Sequence, residues 1–214
     1  MKNFKTINEK ATIEIIEKKS RFICNVSPVE TEEQAINFIS EIKKQYHNAR
    51  HNCFAYVISG QIPIIRFSDD GEPSGTAGKP ILDVITGEKL ENIVVVVTRY
   101  FGGILLGTGG LVRAYGKSAK EGVLAGKIVE MDLYSTIEIC CDYSTSGKIQ
   151  YEIENNNYIL NNIDYTELVK FTVYVKENEK ENFQKHIINI SNNKANVFIG
   201  ETVFLKLIDG KVVK

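Results

Sequence analysis

Between Arg66 and Lys120, two glycine-rich segments, RFSDDGEPSGTAGKP and RYFGGILLGTGGLVRAYGK, enclose an unbroken apolar run, Ile93-Val94-Val95-Val96-Val97. An apolar run with no alternation predicts a buried strand. The stretch holds ten of the chain's 16 glycines. Glycine weakens regular elements and is tolerated where φ is positive or where another group approaches the backbone closely, so the stretch predicts a shaped backbone surface and is the first place to look for function.

The 214 residues allow two domains, each with its own core. With 43% apolar and 25% charged residues, the composition is that of a globular protein rather than a disordered one. A net charge of -1 gives no global signal for nucleic acid or an anionic membrane, so any such binding must come from a local patch. No run of 18 uncharged apolar residues exists, and Met1-Lys2-Asn3-Phe4-Lys5 lacks the apolar core of a signal peptide, so a cytoplasmic protein without membrane contact is expected. Cys24, Cys53, Cys140 and Cys141 show no CxxC spacing and read as reduced thiols, the last two on opposite faces of a strand.

The region Ala11 to Val26 predicts two strands meeting at Lys18-Lys19-Ser20, with Ile13, Ile15, Phe22 and Cys24 in the core. Thr31 then N-caps a helix carrying Ala35, Ile36, Phe38, Ile39 and Ile42 and ending near Tyr46. Cys53–Ser59 and Ile62–Phe67 read as a hairpin, and Leu111–Gly126 as a helix with a face of mainly small residues, namely Leu111, Ala114, Tyr115, Ser118, Gly122 and Leu124. The domains are expected at 1–130 and 136–214, joined by a linker over Ile128–Ser135. The second reads β-α-β-β-α-β: strand Thr136–Tyr143, helix Ser146–Asn156, a turn at Asn155-Asn156-Asn157, strands Tyr158–Tyr165 and Leu168–Lys176, helix Lys180–Ile190 and strand Val197–Ile208. Two helices on one face of a four-stranded antiparallel sheet give an α+β, ferredoxin-like domain.

Gly78-Lys79 invites a phosphate-loop reading, but Pro73 stands where Walker A needs glycine and Pro80 where it needs Ser or Thr. A structured turn from Asp69-Asp70-Gly71 is expected instead. The second glycine segment fails GxGxxG because Val112 takes the third glycine's place. It still precedes a helix start, where backbone N–H groups can receive an anion. Arg113, Lys117 and Lys120 recur at helical spacing beyond it, and Arg99, Tyr100 and Phe101 stand just before it. The set fits a phosphate or single-strand surface, and equally a solvated helix face with core aromatics. His47 and His51, with Cys53 nearby, would share a metal only on a helix, and the intervening residues read as a helix end. Asp69, Asp70 and Glu72 are candidates for a magnesium ion or for ordinary turn chemistry. Ser74 has no nucleophile-elbow context, and no catalytic residue is assigned.

Long motifs then carry a resemblance: Lys19-Ser20-Arg21-Phe22, His51-Asn52-Cys53-Phe54-Ala55-Tyr56, Asp69-Asp70-Gly71-Glu72-Pro73-Ser74-Gly75-Thr76-Ala77-Gly78, and Thr98-Arg99-Tyr100-Phe101-Gly102-Gly103 through Arg113-Ala114-Tyr115. With them the chain resembles the YigZ/IMPACT family. The resemblance implies an N-terminal domain similar to domain 2 of ribosomal protein S5 and a C-terminal ferredoxin-like domain similar to those of elongation factor G. It points towards RNA or the translation machinery, without an agreed enzymatic activity. Eukaryotic IMPACT proteins are translational regulators with an additional N-terminal partner-binding domain. Here the motifs begin at Lys19, so neither that domain nor its partner is carried over.

Three functions therefore stand as expectations. The first is a non-enzymatic RNA- or ribosome-associated protein using no cofactor, in which Lys79, Arg99, Arg113 and Lys117 contact phosphates, Tyr100 or Phe101 stacks, and Gly102, Gly103, Gly107 and Gly109 permit close approach. The second is an enzyme or small-phosphate binder with a metal on Asp69, Asp70 and Glu72. The third is a protein-interaction module.

Overall fold

The computed structural model describes residues 2–156, 158–208 and 211–213, so Asn157 of the expected turn lies outside the described residues. Two compact units emerge, one from Phe4 to Glu130 and the other from Met131 onward together with the first three residues.

The first unit runs β1 (Phe4–Ile7), β2 (Ala11–Glu17), β3 (Ser20–Pro28), α1 (Glu32–Gln45), β4 (His51–Ile58), β5 (Ile64–Ser68), α2 (Gly78–Gly87), β6 (Ile93–Tyr100) and α3 (Thr108–Ala125). Five strands form an antiparallel sheet in the order β2-β3-β6-β4-β5. The apolar run is β6, its central strand. Ile93, Val95 and Val97 pack on one side with Ile81 and Ile85 of α2 and Tyr115 and Val123 of α3. Val94 and Val96 pack on the other with Ala35, Phe38, Ile39 and Ile42 of α1. All five side chains are fully buried, each contributing about 1.5–3 kcal/mol. Helices on both faces explain why the run does not alternate.

The Thr31 cap is present: its hydroxyl accepts from the Gln34 N–H at 3.2 Å, while the Gln34 side chain accepts from the Glu30 N–H at 2.7 Å. Ile36 of the expected apolar series faces outward, because α1 buries a stripe only three or four residues wide per two turns. The turn at Asp69-Asp70-Gly71 forms as expected, closed by Glu72 N–H to Asp69 C=O at 2.9 Å. Helix α2, by contrast, was not legible in GTAGKP. Pro80 is its third residue, where a missing N–H costs no helical bond. Helix α3 starts three residues earlier than expected and buries Ala119 and Val123, whereas Leu124 is exposed. The unit is a mixed α+β fold, the class that the motifs imply.

The second unit contains β7 (Ile128–Cys141) from Met131 on, α4 (Tyr143–Asn155), β8 (Ile159–Tyr165), β9 (Val169–Lys176), α5 (Lys180–Ile190), β10 (Asn196–Ile208) and β11 (Lys211–Val213). Residues 128–135, expected as a linker, are instead the first part of β7, where Val129 and Tyr134 are buried. Strand order β11-β10-β7-β9-β8 with two helical crossovers is ferredoxin-like, extended at one edge by the short β11. Ile137 and Ile139 of β7, Ile149 and Ile153 of α4, Phe171 and Val173 of β9, and Phe183 and Ile187 of α5 form its core. Cys141 points into that core and Cys140 does not, as strand alternation requires, and all four cysteines are free.

Candidate nucleic-acid interface

The β2–β3 hairpin and the loop after β6 build the site together. Lys18 and Lys19 turn the hairpin with φ of 45° and 68°, a conformation usually left to Gly or Asn. The loop lies directly on this turn. A Cβ on Gly102 would sit 2.0 Å from the Lys19 carbonyl carbon and oxygen, so only glycine fits, and its N–H donates to the Ser20 hydroxyl at 3.2 Å. Gly103 and Gly107, at φ 85° and 71°, then swing the chain into α3.

As N-cap of α3, Gly107 supplies no side chain, and the first turn carries no acidic residue. The helix start is therefore electropositive and uncapped by any side chain. Arg113 folds back towards it, with one guanidinium nitrogen 3.6 Å from where a Cβ on Gly109 would stand. Lys18, Arg113 and Lys117 line a hollow of about 230 Å³ with Leu106, Gly110 and the lone carboxylate of Glu17. All three cations are exposed. Lys18 escaped sequence reasoning, although two lysines at a two-residue hairpin turn, where positive φ is required, are the signal that marks it.

The start of α2 is the opposite case. Asp69 already fills it, its carboxylate accepting from the N–H groups of Gly75 at 2.8 Å and of Ala77 and Gly78 at 2.9 Å. Partial burial works against the charge, but the three donors prevail and hold the carboxyl below the usual aspartate range. Asp70 pairs with Lys43 at 2.8 Å and accepts from the Asn52 N–H. Glu72 accepts from Arg99 at 2.7 Å and from the Tyr115 hydroxyl at 2.8 Å, all three side chains being buried. The three acids thus serve three separate structural bonds. Among the described residues no group of three His, Cys, Asp or Glu side chains is placed to hold a metal ion. His51 lies on strand β4 and not on a helix, with Nδ1 2.9 Å from the Asp70 carbonyl oxygen. Cys53 donates to the Asp69 carbonyl at 2.9 Å, and burial pushes its thiol up to about 12.

Two expected phosphate contacts are spoken for. Arg99 is 7% exposed and paired to Glu72, because its position on central strand β6 turns it under the loop. Lys79 pairs with Asp83 one turn along α2 and lines neither hollow described here. Tyr100 donates to Asn48 at 2.6 Å with Arg21 over its ring, while Phe101 is 55% exposed beside Leu105 at 82%. Phe101, Leu105 and Arg50 border a second hollow, of about 460 Å³, whose floor includes Arg99. The structure therefore brings Arg113 and Lys117 to one hollow, with Arg113 beside Gly109, and Arg99, Tyr100 and Phe101 to the other.

The sequence matches the Impact N-terminal domain over residues 18–123 and a domain of unknown function (DUF1949) over residues 139–194. It is 46% identical to the IMPACT family member YvyE of Bacillus subtilis over 201 residues, covering 94% of this chain and 93% of that one. With the IMPACT family member YigZ of Escherichia coli it shares 33% identity over 185 residues, covering 85% and 91%. The human protein IMPACT matches over 100 residues at 34%, covering 44% of this chain and 31% of that one. A solved crystal structure of a hypothetical protein, 31% identical, superposes with a TM-score of 0.59 over 94% of this chain and 98% of its own.

Proposed function

The chain belongs to the IMPACT family, and from that premise we propose that it is a non-enzymatic RNA- or ribosome-associated protein whose contact surface is the glycine loop of the first unit. The observation that carries the reading is the hollow along the first turns of α3, where Lys18, Arg113 and Lys117 gather beside Gly110 and Arg113 also reaches back towards a helix start that no side chain caps. Three cations against one carboxylate, on a chain of net charge -1, concentrate positive charge locally, which is how a phosphate backbone is engaged without base reading. Exposed Phe101 on the adjoining face supplies a ring for an unstacked base. The metal-assisted reading loses its ligands, since Asp69, Asp70 and Glu72 are each bonded within the fold.

Single-stranded RNA affinity measured against salt tests this. Replacing Arg113 and Lys117 by Gln is expected to weaken binding and to flatten the log-log salt slope by about 0.7 for each lost phosphate contact. Unchanged affinity and slope would remove this surface as the site.

A further inference from the structure

The second hollow has a feature that surface cations lack. Its Arg99 is more than nine-tenths buried, and only one side of the guanidinium is used: Nη1 donates to Glu72, while Nε is buried with no hydrogen-bond partner. A buried donor left unpaired is destabilising, and a polar ligand reaching the guanidinium from the hollow would relieve it. The guanidinium also lies 5.6 Å from the ring centroids of both Phe22, which is buried, and Phe101, which is exposed. Arg50, exposed at the rim, adds a second positive charge. His51 contributes a polar edge, its Nδ1 2.9 Å from the Asp70 carbonyl oxygen. The combination is an exposed aromatic ring, two arginines and an imidazole around about 460 Å³.

We propose that this hollow is a mononucleotide site, in which Phe101 stacks a base, Arg50 and Arg99 hold its phosphate, and the His51 imidazole hydrogen-bonds the base or ribose. The volume falls within the range that small ligands use, and stacking combined with a guanidinium clamp is the chemistry of unpaired nucleotides. As a nucleotide within a strand, the ligand rests on the RNA reading above. The same chemistry would also hold a free nucleotide, and the test separates the two.

The experiment measures binding of adenosine 5′-monophosphate and of single-stranded oligoadenylate by wild type, Phe101→Ala, Arg50→Gln and the Arg113→Gln/Lys117→Gln double variant. Phe101 and Arg50 are exposed, so their variants fold, whereas Arg99 substitutions would strand Glu72 and are avoided. The expected result is a roughly tenfold loss of both ligands in Phe101→Ala, with the monophosphate also weakened in Arg50→Gln and nearly unaffected in the double variant. If the double variant loses the oligonucleotide while Phe101→Ala and Arg50→Gln bind both ligands as wild type does, the nucleotide site falls and the RNA reading stands. If wild type binds the monophosphate in a Phe101-dependent way but no oligonucleotide, the site stands for free nucleotide and the RNA reading falls. Binding of neither ligand overturns both.

Discussion

Asp69 holds three backbone N–H groups with one carboxylate, and its charge is what fixes the start of α2 against the turn before it. Its carboxyl lies below the usual aspartate range in the fold, so the stability it adds is fully present above about pH 4, its ordinary value, and is lost as pH falls through the lowered value. Asp69→Asn is expected to cost about 0.5–2 kcal/mol at pH 7 and to make stability below about pH 4 less steeply dependent on pH. Urea unfolding at a series of pH values measures both, and an unchanged acid limb would count against this assignment. Neighbouring Glu72 works differently. It is buried with Arg99 and Tyr115, an arrangement that adds little net stability but severely penalises loss of either charge. Such residues look like candidate ligands in the sequence because acid-rich glycine turns and metal loops share their composition, and only the partners tell them apart.

Helix α3 joins core to site, and its approach to the sheet is set at Gly122. A Cβ there would lie 2.3 Å from Cys24 Sγ of β3, far inside contact distance. Gly122→Ala is expected to destabilise the first unit by about 1–3 kcal/mol through overpacking, despite alanine's better helix propensity. Adding Cys24→Ala, which removes the clashing sulfur, should return part of that loss, and a denaturation-based double-mutant cycle reads the coupling. Purely additive costs would contradict the contact. The periodicity of α3 and the β6 run were legible because helix and strand repeats are written in adjacent residues. Helix α2 was not, since glycine and proline obscure a first turn whose cap, Asp69, comes from nine residues upstream of Gly78.

At the scale of the whole molecule, each unit has its own buried core, one around β6 and one around β7 and β9. A fragment ending at residue 130 is accordingly expected to fold alone, with a cooperative urea transition followed by circular dichroism. A broad, non-cooperative transition would show that the first unit needs the second. Periodicity, glycine placement and motif order by themselves determined the α+β class, the order of most elements and the region where function is to be sought, because those are local properties of consecutive residues. Which cations remain free was decided only by tertiary structure. Arg99 and Glu72, 27 residues apart, neutralise each other, while Lys18 reaches Arg113 and Lys117 through a hairpin and a helix far apart in the chain. Charge availability depends on the partner that folding delivers, and no window of sequence contains both.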